Sequence, residues 1–201
     1  MYLKNVNADE LQLNEYELAG RLSVRGRVDY TADERYKRLL EAASCAYVAE
    51  RFPITRCEDS LMIGDIRVFG SAFPRVARES SECFLIVATL GIGVDRLIAK
   101  EQHLSVSDAF VIDAMADALI EALCDAAERD ITEGLVCAPR FSPGYADLPL
   151  EVGREIVKRL GADVRLGIGF TESGLMIPRK SVSAIVCVRD KIGDTEDEKY
   201  T

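Results

Sequence analysis

From Val106 to Asp130 the chain carries its longest helical pattern, and this stretch limits what the rest can fold into. Phe110, Val111, Ala114, Met115, Ala118, Leu119, Ala122 and Leu123 make a broad apolar stripe at helical spacing. A helix this apolar is largely buried and central. Ser105 or Ser107 stands where a capping hydroxyl is needed. The opposite side carries Asp113, Asp117, Glu121 and Asp125 at every fourth position, with no Lys or Arg among them. Like charges so spaced cost a helix about 0.2–0.5 kcal/mol per pair. That face is therefore either solvated or met by cations from elsewhere in the chain.

Around this helix the pattern is mixed. Residues 1–30 read as a lead-in segment that packs Leu11, Leu13, Tyr16 and Leu18 onto the core. Thr31 and Glu34 have capping-box spacing, and Tyr36, Leu39, Leu40, Ala43 and Tyr47 share one helical face. This predicts a helix that stops near Phe52, because Pro53 disfavours helix in the residue before it. Leu61–Ile63 and Ile66–Phe69 flank Gly64-Asp65, a hairpin signal. A short helix is expected over 74–80. Cys83 to Leu90 is a continuous apolar run suited to a strand buried on both faces. Gly91 and Gly93 suit a tight strand-to-helix connection. A dinucleotide fingerprint fails there, because its third glycine falls on Arg96. Leu150, Val152, Ile156, Val157 and Leu160 predict a helix closed by Gly161, and 181–188 alternates as a strand, with 175–178 as its partner or approach. Residues 190–201 form a polar tail. Helices and strands without a strict βαβ rhythm predict an α+β fold: one domain over 1–201 with a largely antiparallel sheet flanked by helices.

Composition narrows the function. A net charge of -9 over 201 residues argues against nucleic acid or an anionic membrane as partner. No apolar run is long enough for a membrane span, and the first residues lack the apolar region of a secretory signal. The six cysteines form no Cys-x-x-Cys pair and mostly lie in apolar runs, as free thiols of a reducing cytoplasm would. With one histidine, His103, and no ligand spacing, no metal site is expected. No nucleophile and base are paired in the manner of a hydrolase.

The chemistry concentrates in Arg140-Phe141-Ser142-Pro143-Gly144-Tyr145. A guanidinium fork suits a carboxylate, Pro-Gly reverses the chain, and an aromatic follows. Taken locally, the same residues also suit a solvated surface turn. The pattern Arg140-x-x-Pro143-Gly144-Tyr145, followed by Gly167, Thr171, Glu172, Ser173, Met176, Pro178, Ser181, Val182 and Ser183 in fixed spacing, resembles the reactivation domain of cobalamin-dependent methionine synthase. The likeness is firm over the last third of the chain and thinner towards the N-terminus.

That resemblance implies a bent antiparallel sheet flanked by helices, with S-adenosylmethionine in a shallow groove at its edge. It implies that Arg140 pairs with the ligand carboxylate and that Glu121 opposes its positive end. The backbone of Phe141, Ser142, Pro143 and Gly144 would meet the adenine, and Tyr145 would close over it. It also implies a part in the reductive methylation of cob(II)alamin, within a methyltransferase system rather than as a complete enzyme. The chain lacks the Asp-x-His-x-x-Gly cobalamin-ligand motif. Cobalamin is therefore expected on a partner methyltransferase, with a flavodoxin-like protein or other one-electron reductant. The alternative is a non-catalytic regulatory module that docks on a corrinoid protein.

Overall fold

The computed structural model describes residues 1–190. In chain order these form β1 (Tyr2–Asn5), a 3-10 turn at Ala8–Glu10, α1 (Glu15–Arg21), α2 (Glu34–Ala42) and β2 (Ala46–Arg56). A hairpin follows, β3 (Leu61–Ile63) and β4 (Ile66–Val68), then α3 (Ala72–Val76) and β5 (Glu82–Thr89). Next come α4 (Ile92–Leu104), α5 (Val106–Ile131), α6 (Val152–Leu160) and α7 (Ala162–Arg165). The two-residue strands β6 (Gly169–Phe170) and β7 (Met176–Ile177) precede β8 (Ser181–Val188). The polar tail, 191–201, lies outside the described residues.

All pairings are antiparallel, in the order β4-β3-β2-β5-β8. On one edge of β2, β1 covers Ala46–Ala49 and β3 covers Ile54–Arg56. The sheet has an apolar layer on each face. Phe84, Ile86 and Ala88 of β5 point to one core, with α1, α2, α4 and α5. Cys83, Leu85 and Val87 alternate into the other, with α3, α6 and α7. This is the α+β class expected, with β5 buried on both faces.

The central helix is α5. Ile112, Met115, Leu119 and Leu123 are fully buried against the sheet, each contributing about 1.5–3 kcal/mol. Ser105 caps it, accepting from the Asp108 amide at 3.3 Å. Phe110, expected in the apolar stripe, is 57% exposed near the helix start. At Gly93 an added Cβ would lie 2.2 Å from the Ala42 carbonyl oxygen, so α4 meets the end of α2 at backbone contact.

Other expectations are corrected. The helix expected over Thr31–Phe52 ends at Ala42. Asp33, not Thr31, caps it, accepting from the Arg35 amide at 2.8 Å, while Thr31 bonds Asp29. Tyr47 and Phe52 lie on β2, where eight residues pair with β5. Long-range pairing outweighs the local helical spacing there. Pro53 is tolerated because its position ends that ladder. The short helix covers Ala72–Val76 rather than 74–80. Of the two alternatives for 175–178 only the approach to β8 holds, since 176–177 pair with β6. Segment 1–30 adds a strand to the sheet; Leu11, Leu13 and Leu18 are buried as expected, but Tyr16 is 69% exposed. The 61–68 hairpin, α6 with its Gly161 cap, and β8 form where expected. No helix among the described residues is long and apolar enough to cross a membrane.

Candidate functional site

After α5 the chain returns along the outer edge of β8. The Ala138 amide donates to the Cys187 carbonyl at 2.9 Å, and Phe141 and Ile185 exchange both backbone bonds at 2.9 Å. Successive residues of such a segment alternate in direction. Arg140 turns to α5, while Phe141 enters the opposite core against Phe73. The segment then leaves the sheet. Pro143 has no N–H to continue the pairing, and Gly144, at φ 86°, completes a turn closed by the Tyr145 amide on the Ser142 carbonyl at 3.1 Å. Pro then Gly with this geometry is the chemistry of a type II turn.

The departure leaves the first residues of β8 uncovered. A hollow of about 530 Å³ lies there, lined by Ser142, Pro143, Leu150, Gly174, Leu175, Met176, Arg179, Lys180, Ser181, Val182 and Ser183, with Asp113 and Asp117 of α5 as its other wall. Lys180, its side chain only 8% exposed, holds Asp117 at 2.5 Å and Asp113 at 2.9 Å. Arg21 reaches Asp117 at 3.3 Å from α1. The Arg179 amide donates to Asp95 Oδ2 at 2.8 Å. Its exposed guanidinium has no carboxylate within ion-pairing distance among the described residues.

The predicted site residues divide between this hollow and its surroundings. Ser142 and Pro143 line it. Arg140 and Glu121 come together, but onto one another: the guanidinium donates to Glu121 Oε2 at 2.6 Å, to Asp125 at 3.4 Å and to Glu128. Its side chain is 17% exposed. Burial pushes the Glu128 carboxyl above its ordinary range, against the pull of Arg140. Phe141 is buried, Gly144 packs its backbone beside Leu150, and Tyr145 is 68% exposed with its ring edge-on to Phe141. None of these three lines the hollow. The acidic ladder thus meets cations, the second of the two outcomes left open by its spacing. Arg179 and Lys180 escaped sequence reasoning; an acidic face with no cation of its own was the available signal for Lys180.

Among the described residues the thiols are free, Cys57 exposed and most of the others buried. Burial raises the thiols of Cys45 to about 11 and of Cys124 and Cys187 to about 12, so they are protonated and unreactive at neutral pH. Among the described residues no cluster of His, Cys, Asp or Glu is placed to hold a metal ion. The arrangement suits non-covalent binding of a ligand with charged and apolar parts.

No protein-family model matches the sequence, and a search of curated proteins gave no match. Among solved structures, the chain is similar to a crystal structure of the MetH reactivation domain bound to AdoHcy, with TM-score 0.68 and 18% identity. The match covers 100% of this chain and 80% of the other. At that identity the likeness establishes architecture: the chain has the fold of the MetH reactivation domain.

Proposed function

We propose that this protein binds S-adenosylmethionine or its demethylated product in the hollow beside Ser142–Pro143 and acts as a reactivation domain for a cobalamin-bearing methyltransferase. One observation carries the reading. Pro143, Met176 and the run Ser181-Val182-Ser183, three stretches of the pattern shared with reactivation domains, line a single hollow. The fold likeness to a domain solved with AdoHcy supports the same ligand class.

In this reading Leu150, Leu175 and Met176 offer apolar surface to the adenosyl group, and the serine hydroxyls offer hydrogen bonds. Arg140 holds the loop to α5 and orients Glu121, whose carboxylate is 39% exposed on the neighbouring turn and carries the predicted role of opposing the sulfonium and ammonium charge. Phe141 and Gly144 shape the loop, and Tyr145 stands exposed to fold over a ligand or meet a partner. Cobalamin fits poorly as a resident group. The chain has no cobalamin-ligand motif, and its one histidine, His103, lies exposed on α4, away from the hollow's lining. A cytoplasmic partner would present it, and there it supplies the methyl acceptor after one-electron reduction. The residues here would hold the sulfonium methyl outward and exclude water, which requires positioning rather than acid or base catalysis.

Two titrations test this. Calorimetry with S-adenosylmethionine should give saturable binding; absence of binding leaves only the docking-module alternative. Added with reductant and S-adenosylmethionine to a methyltransferase in the Co(II) state, the protein should convert the cobalt spectrum to the methylated form. An unchanged spectrum despite ligand binding would remove the reactivation role.

A further inference from the structure

We infer that Arg179 is the group that takes the carboxylate end of the ligand in this hollow. The inference rests on the adenosyl-ligand reading above and adds to it a recognition residue outside the motif that suggested it.

The argument is one of charge and access. Arg140, the residue whose sequence context points to a carboxylate, is already held by Glu121, Asp125 and Glu128. One cation among three carboxylates leaves a negative surrounding, and a fourth carboxylate brought there is repelled. At the hollow the balance differs. Lys180 and Arg21 answer Asp113 and Asp117 directly. Arg21 is also held by Glu17 at 2.7 Å, whereas Arg179 has no carboxylate within ion-pairing distance among the described residues.

Access agrees. Arg179 lines the main hollow and also an adjoining recess of about 250 Å³, with Asp95, Gln102 and Asp113. Its backbone is anchored on both sides, by its own amide on Asp95 and by buried Lys180 at the next position. Arg179 therefore stands exposed on a fixed backbone at the lining of the site. A planar fork of donors matches a carboxylate through two parallel bonds, which a lysine cannot reproduce.

The test is calorimetric titration of the full chain with S-adenosylhomocysteine and with 5′-methylthioadenosine, which keeps the adenosyl thioether but lacks the amino-acid carboxylate. Arg179→Gln should bind S-adenosylhomocysteine roughly ten- to a hundredfold more weakly, the range of a charge-assisted contact, and bind 5′-methylthioadenosine as wild type does. Arg179→Lys should fall between. The side chain is exposed, so both variants should melt with wild type. Should Arg179→Gln melt lower, Arg179→Lys alone decides by the same contrast between the two ligands. Equal loss for both ligands, or loss for neither, overturns the inference and leaves the proposed function standing. Wild-type protein that binds neither ligand overturns both.

Discussion

The two ends of the acidic face of α5 meet cations in different ways. Towards its C-terminal end, Glu121, Asp125 and Glu128 close on Arg140, a guanidinium 17% exposed on a loop pinned to β8. Towards its N-terminal end, Asp113 and Asp117 meet Lys180 and Arg21, and the space beside them is open. The first end fastens the chain to itself. The second faces a hollow, with Arg179 at its lining and unpaired among the described residues. A row of carboxylates that destabilises an isolated helix serves here as a rail on which three remote segments dock.

Removing each cation separates the two ends. Arg140→Ala should have the largest effect, about 3 kcal/mol in urea unfolding, because it leaves half-buried Glu128 without a counter-charge. An effect below about 1 kcal/mol would mean that the closed end holds nothing together. Lys180→Met should cost about 2 kcal/mol, less because Asp113 and Asp117 are over a third exposed and Arg21 remains on Asp117. It should also weaken S-adenosylhomocysteine binding, and a loss of stability with unchanged affinity would detach Lys180 from the site. Arg21→Ala should cost under about 1 kcal/mol, as a surface pair does.

The smallest effect at neutral pH concerns Asp147, which tethers the loop beyond the hollow to α3. It accepts from the Ser71 and Ala72 amides at 2.5 and 3.0 Å, and those bonds hold its carboxyl below the ordinary range. A depressed folded value means stability present above the unfolded carboxylate range and lost as pH falls through the folded one. Asp147→Asn should therefore flatten the acid limb of the stability curve followed by circular dichroism. An unchanged acid limb would show that the tether does not titrate with folding.

What was legible in the sequence depended on where the deciding contacts lay. The period of α5, the apolar run of β5, the alternation of β8 and the Gly161 stop of α6 are local signals, and each element formed where its signal stood. At β2 the local signal misleads: Tyr36, Leu39, Leu40, Ala43 and Tyr47 continue one helical spacing, whereas pairing with β5 and β1, far away in sequence, decides the conformation. The site was half legible. Turn chemistry predicts the chain reversal at Pro143-Gly144, and Ser142 and Pro143 line the hollow beside it. The resemblance implies that Arg140 and Glu121 face one ligand, whereas their pairing with each other depends on the loop's alternation along β8. Arg179 carries no local signal, since an exposed arginine before a strand is ordinary until its neighbours are found to be paired elsewhere.

The central claim, that the open end of the α5 face is where a ligand binds, is tested most directly by amide NMR during titration with S-adenosylhomocysteine. A second hollow of about 530 Å³, lined by Asn5–Asp9, the end of α2 and Ser44–Cys45, serves as the internal control. Saturable shifts at Ser142, Lys180, Ser181 and Ser183, with Asn5–Asp9 and Ser44 unmoved, are the predicted result. Shifts confined to the second hollow, or none at either, would contradict the account.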